Sequence, residues 1–412
     1  MTNTMKYANM ARIILGFVWT AVLCGGCGDG ALTEAMATVD GIVSATTEDE
    51  PSASDEGATS PDDDDKAAAT DEDTPLIADQ NDSEPDPGVA IDAPSPRGGA
   101  PAVWIPHQRR MLLFGGMSPI TGDTLAYDYD GDTWWDLSLQ DRAPMPAPRC
   151  HHILVASGAG PNAYMFGGFS FAGRFNDVWR FNADEAQWSE LQPTGDVPAV
   201  RCLHTAAYIV SHHEILIYGG VQGGGGAAGD YFSDTHLLDL ERNVWSNIDV
   251  TGPGKLRGAI CVYAPGEDGV YLWGGKQVTT YPSTLWRFDV ADHTWSQVAT
   301  TGDTPPGRED PAFFWDDVRG RLRIFFGRND TLAEPLLEDA YEFNVTDATW
   351  EALDTAGAPP PRWRPTVVTV VADGVSVLFG GWTGFGGGAA LADTWRYKWA
   401  SNEWTQVAAF GP

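Results

Sequence analysis

What the chain has little of narrows it first. Basic residues are scarce: 25 Lys and Arg stand against 57 Asp and Glu, for a net charge of −32. That balance is a poor match for nucleic acid or for an anionic membrane held by bulk charge. It favours solubility or a cationic partner. Aromatics are missing altogether from residues 28–96, where 20 acids meet one base, Lys66. A stretch of that composition buries too little apolar surface to offset the entropy of ordering, and its charges push it apart. Residues 28–96 therefore read as an acidic, disordered tether, with Asp62-Asp63-Asp64-Asp65 as a solvated charge run.

The apolar run Ile13 to Leu23 follows Lys6 and Arg12 and is too short and wrongly flanked for a membrane span. It ends in Leu23-Cys24-Gly25-Gly26-Cys27, which resembles a bacterial lipobox. Residues 1–27 are expected to be a signal peptide, with Cys27, directly after Gly26, as the lipidated residue. The chain is then an exported lipoprotein of a bacterial cell envelope, held at the outer membrane or cell surface through its lipid alone.

What is abundant is glycine, 47 residues, and tryptophan, 17. Many short strands need both, one for tight turns and the other as buried anchors. Internal periodicity explains the pairing. Gly-Gly recurs at 115–116, 167–168, 219–220, 274–275 and 380–381, with Gly327-Arg328 as a degenerate sixth copy. Apolar runs such as Ile215-Leu216-Ile217-Tyr218 lead into each pair and read as buried strands. An acid register follows, Asp123, Asp177, Asp234, Asp339 and Asp393, with Thr284 in the fourth place. Eleven residues after each stands a tryptophan: Trp134, Trp188, Trp245, Trp295, Trp350 and Trp404. Upstream, Arg97, Arg149, Arg201, Arg257, Arg308 and Arg362 form a third register.

Three registers in phase six times resemble the Kelch repeat, whose marks are a starting Arg, a hydrophobic run into Gly-Gly and a spaced tryptophan. The resemblance spans residues 97–412 and implies an all-β, six-bladed propeller with four antiparallel strands per blade. In the third unit the strands are expected at Leu203–Val210, Glu214–Tyr218, Thr235–Asp239 and Val244–Ile248. All 24 strands come from complete units, so ring closure rests on packing between blades 1 and 6; a contribution from Gly88–Asp92 stays open.

Alternating strand directions put the start of the first strand, the end of the second and the loop that follows on one rim. The repeat arginines and acids share that rim and read as structural ion pairs. Arginines outside the register, Arg174, Arg328 and Arg364, are the better ligand candidates. Loops of unequal length on one rim mark the binding face. Tyr231 and Phe232 end the long glycine-rich loop of the third unit, and Trp382 and Phe385 belong to that of the sixth, so these four join the ligand candidates.

His152 and His204 each follow a repeat arginine by three and are weak metal candidates without a visible third ligand. Asp128-Tyr129-Asp130-Gly131-Asp132 looks like a calcium loop but lacks its completing acid, and reads as a turn. Cys150, Cys202 and Cys261 are an odd number, and the first two hold equivalent places, so buried thiols are expected. No catalytic residue or cofactor is assigned. The fold hosts many activities. The reading is a monomeric binding module that offers its loop face to a polysaccharide, peptide or protein. The alternatives the resemblance implies are a carbohydrate-active enzyme of the sugar mutarotase or epimerase type, or a galactose-oxidase-like oxidase. Glu309 beside Arg308 is the first place to look for turnover.

Overall fold

The computed structural model describes residues 88–138, 144–223, 227–384 and 388–407. They form six antiparallel sheets, each with four strands, a to d, running outward from a central axis. Blade 1 has a at Ala102–Ile105, b at Arg110–Gly116, c at Thr121–Asp128 and d at Thr133–Asp136. Blade 3 has a at Thr205–Ile209, b at Glu214–Tyr218, c at Thr235–Asp239 and d at Val244–Ile248. Strand a there is shorter than the apolar pattern suggested. Leu203 takes a left-handed backbone, φ 58°, and so cannot extend the ladder.

Alternation explains the layering. In strand b of blade 3, Ile215 and Ile217 bury toward one neighbouring blade, and Leu216 and Tyr218 toward the other. The strand-d tryptophan is the wedge. Trp188 lies 5.1 Å from Phe114 of blade 1, and Trp245 lies 5.1 Å from Phe166 of blade 2. Each such indole removes about 200 Å² from water, on the order of 5 kcal/mol before entropy is counted.

The indole nitrogens divide into two groups. Trp134, Trp188 and Trp295 donate to Thr394, Thr124 and Thr235, the first residue after the register acid in the preceding blade, at 3.4, 2.9 and 2.9 Å. Where that place is Val178, Leu285 or Ala340, the facing nitrogens of Trp245, Trp350 and Trp404 are buried without a partner.

Blades 1 and 6 close the ring without exchanging a strand. Trp134 packs 4.9 Å from Phe379, Arg109 pairs with Asp373 at 2.7 Å, and Arg396 pairs with Asp132 at 2.5 Å. The Arg97 N–H donates to the Leu391 carbonyl, and Arg97 accepts from Gly381. The described structure extends upstream of the first repeat arginine. Val89–Ile91 adds a fifth, outermost strand antiparallel to Thr133–Asp136 of blade 1. Crossovers between blades do related work: Thr194–Gly195 runs parallel to strand d of blade 3, and Thr301–Gly302 to strand d of blade 5, Thr349–Ala352. Each covers part of an otherwise open sheet edge.

Candidate functional site

At the rim where strand a begins, five repeat arginines act as staples. Arg97, Arg149, Arg201, Arg308 and Arg362 grip Asp123, Asp177, Asp234, Asp339 and Asp393 through both terminal nitrogens. Each Nη1 also donates to the backbone carbonyl that ends strand b, such as Gly167 O at 3.0 Å. Burial disfavours the Asp234 charge, but hydrogen bonds from Arg201 and His236 outweigh it and hold the carboxyl below its usual range. Asp393 is held down in the same way by Arg362. Phe175 covers Arg149 at 3.8 Å, and Phe232 covers Arg201 at 4.0 Å.

Two blades depart from the expected register. In blade 4 the staple is absent. Gly220 donates to Leu256 where the equivalent glycines donate to the repeat arginines, so Leu256 fills the arginine place and Thr284 the acid place. Arg257 sits one residue later and bonds Glu309 of blade 5 at 3.1 Å, with both side chains buried. In blade 5 the Gly-Gly place is Phe326-Gly327, not Gly327-Arg328. Arg308 Nη1 bonds the Phe326 carbonyl at 2.9 Å, and Phe326 takes the left-handed backbone, φ 58°, that glycine takes elsewhere.

Just inside the staples lies a ring of six residues, one per blade: Gly99, His151, Leu203, Gly258, Asp310 and Arg364. All have a left-handed φ, between 52° and 65°, and the N–H of each donates to the carbonyl of its predecessor around the circle. The circle closes with Gly99 donating to Arg364 at 3.2 Å. Arg364 Nε holds Asp310 at 2.7 Å, and its Nη1 meets His151 Nε2 at 3.0 Å, which links blades 5, 6 and 2. Burial, then Arg364, pushes the His151 imidazole well below its ordinary value, so it accepts that bond as a neutral ring.

A second tier surrounds the ring as six backbone-paired couples. On blades 1, 2 and 3 these are Gly98 with Met117, Cys150 with Phe169, and Cys202 with Val221. On blades 4, 5 and 6 they are Arg257 with Lys276, Glu309 with Arg328, and Trp363 with Trp382. Half the circle is small or apolar, and half is charged or aromatic. Arg328 grips Asp330 with two bonds, and Lys276 reaches the same carboxylate at 3.0 Å. Trp363 has guanidinium groups at 4.5 and 4.4 Å from Arg328 and Arg364.

The family model of the KLHDC2/KLHL20/DRC7 Kelch-repeats domain matches residues 64–264 and 258–412. The chain belongs to this Kelch-repeat family. The Kelch chain is 29% identical over 279 residues to the dynein alpha chain of the flagellar outer arm from Chlamydomonas reinhardtii, covering 63% of this chain and 6% of that one. It is 23% identical over 294 residues to Kelch domain-containing protein 10 of Xenopus tropicalis, covering 66% of this chain and 68% of that one. It is 26% identical over 216 residues to the Rab9 effector protein with kelch motifs of Danio rerio, covering 48% of this chain and 59% of that one.

The Kelch propeller places the sequence-derived candidates unevenly. Arg364 is in the central ring, and Arg328 is in the second tier beside Glu309. Trp382 lies over Gly98, where a methyl group would fall 2.0 Å from the indole nitrogen. Arg174 donates to the Gly223 carbonyl, so it ties the blade 2 loop to the blade 3 loop. Tyr231 and Phe232 are not exposed loop aromatics. Tyr231 is buried beside Arg257, and Phe232 is the lid on Arg201. Cys27 and Phe385 lie outside the described residues.

His152 and His204 sit in different blade interfaces, edge-on to Phe114 and Phe166. Burial holds the His204 imidazole down to about 3 and that of His152 well below normal. Among the described residues no group of three or more His, Cys, Asp or Glu side chains is placed to hold a metal ion. The calcium-like acids are engaged otherwise: Asp128 caps its own turn, Asp130 pairs with Arg109, and Asp132 pairs with Arg396. Cys150, Cys202 and Cys261 are buried thiols.

One exposed aromatic escaped the sequence pattern. Phe169–Ser170 and Gly173–Arg174 form a small hairpin between strands b (Asn162–Phe166) and c (Val178–Asn182) of blade 2, and Phe171 at its tip is 71% exposed. It packs edge-on against Phe169 at 6.2 Å, and Arg174 lies 5.3 Å from that same ring. The short Phe-Ser-Phe stretch was the available signal, but it is indistinguishable from strand sequence.

Proposed function

We propose that this Kelch propeller is a binding module whose loop-bearing face docks a protein or peptide partner, with Cys27 tying the chain to the cell envelope through a lipid. The observation that carries the docking reading is Phe171. A large apolar side chain stands in solvent on a hairpin pinned to the next blade through Arg174 and Gly223. An aromatic held this way loses little entropy on binding, which is what a binding anchor requires. Blades 4 to 6 add charge and indole surface on the same face. The name of one relative, a Rab9 effector protein with kelch motifs, also supports an interaction role. The anchoring reading rests on the lipobox-like Leu23 to Cys27.

The test is a random-peptide display selection on the full chain, with affinities of enriched peptides then measured on variants. Phe171→Ala should weaken binding about tenfold or more. Val318→Ala removes a 76% exposed side chain at the a–b turn of the opposite end and should change nothing. Binders indifferent to Phe171→Ala would overturn the docking reading. A glycan array on the same variants separates a polysaccharide partner from a peptide one. Labelled palmitate entering wild type and Cys27→Ala equally would overturn the anchor.

A further inference from the structure

The central channel holds a cavity of about 220 Å³ that the loop-face reading does not use. For scale, an apolar cavity of about 150 Å³ admits benzene. Its walls come from the channel-facing residues of the innermost strands, among them Val155, Ala206, Phe313 and Val367. One end is the hydrogen-bonded ring, where His151, Asp310 and Arg364 are the polar side chains. Apolar walls with a few convergent polar groups at one end are the usual build of a small-molecule site.

The polar end has a definite character. All six ring N–H groups are already committed to ring carbonyls. Asp310 is engaged by Arg364 Nε, and His151 Nε2 is engaged by Arg364 Nη1. The side-chain hydrogen bonds of Arg364, which is 5% exposed, run through Nε and Nη1, which leaves Nη2 as its remaining donor. The two buried carboxylates nearest the ring are each held by an arginine, Asp310 by Arg364 at 2.7 Å and Glu309 by Arg257 at 3.1 Å. A guanidinium N–H left over from such a pair, backed by apolar walls, suits a carboxylate with a small apolar body.

We propose that this cavity binds a small organic anion, its carboxylate on Arg364 Nη2 and its apolar body against Val155, Ala206, Phe313 and Val367. The site is separate from the loop-face docking surface, and the two can fail independently.

Benzoate and benzyl alcohol are matched probes, differing mainly in the headgroup. Titration calorimetry on the full chain should show benzoate binding about tenfold more tightly than benzyl alcohol. Arg364→Gln should remove that difference and leave the alcohol's affinity unchanged, whereas Arg364→Lys should keep a preference for the anion. Ala206→Leu narrows the wall and should weaken both probes about tenfold. Trp382→Ala, on the loop face, should weaken neither. Equal affinities on wild type, an anion preference that survives Arg364→Gln, or indifference to Ala206→Leu would each overturn the proposal. If Arg364→Gln does not fold, Ala206→Leu decides. Indifference there, or no binding of either probe to wild type, means the cavity holds water only.

Discussion

Val178→Thr should stabilise this propeller, although it puts a hydroxyl in the core. Trp245 Nε1 is buried with no acceptor, and an orphaned buried donor costs about 1–3 kcal/mol. The place that supplies an acceptor elsewhere is known: Thr124 accepts from Trp188 at 2.9 Å, and Thr235 from Trp295 at 2.9 Å. Val178 holds that place in blade 2, is 1% exposed and belongs to the same apolar cluster as Trp245. Valine and threonine are nearly the same shape, so no cavity or clash opposes the change. Desolvating the new hydroxyl costs about 1–3 kcal/mol if it stays unpaired. Pairing offsets that cost and relieves the indole as well, so the net gain should be about 1 kcal/mol. Urea unfolding of wild type, Val178→Thr, Trp245→Phe and the double variant closes a cycle. The gain should appear only with Trp245 present, and Val178→Thr should destabilise the Trp245→Phe background. Equal destabilisation in both backgrounds would refute the reasoning.

Three further outcomes are expected. Leu256→Arg alone should cost about 3–5 kcal/mol by burying an unpaired charge, and adding Thr284→Asp should recover most of it by restoring the missing staple; urea unfolding reads both. Phe326→Gly should cost about 3 kcal/mol, because the ring buried against Trp404 at 5.9 Å outweighs the left-handed strain of about 1–2 kcal/mol that glycine relieves; a calorimetric melt as high as wild type would show otherwise. Stability should fall as pH drops below about 6.5, because unfolded histidine takes up a proton there. Folded His204, held down to about 3 by burial and Arg201, does not. His204→Phe should remove about 1.4 kcal/mol of that loss in total between pH 7.5 and 5.5, measured by urea unfolding.

The registers spelled out the blades because they are local. Strand b ends at a fixed distance from its own arginine, and strand d carries its own tryptophan, so spacing along the chain carries the information. The same locality explains the two misaligned blades. Gly327 is a glycine in the wrong half of its pair, and Arg257 is an arginine one residue late. Spacing tolerates such slips, whereas a hydrogen-bonded carbonyl distinguishes Phe326 from Gly327 and Leu256 from Arg257. The loop aromatics failed for a different reason. Tyr231 and Phe171 are equally apolar on paper, and only their neighbours bury one beside Arg257 and leave the other in solvent.

By itself the sequence determined the number of blades, the order of strands within each, and the Arg–Asp staples of the five blades that have both partners, since each depends on residues a few tens of positions apart. Only the tertiary structure decided what happens at the axis. The six ring residues share a backbone conformation but no side-chain type, so no pattern marks them. Their hydrogen bonds cross from each blade to the next, and the last, from Gly99 to Arg364, joins the two ends of the ring. The contact of Arg364 with both Asp310 and His151, and the cavity bounded by that ring, exist because six separate chain segments converge there.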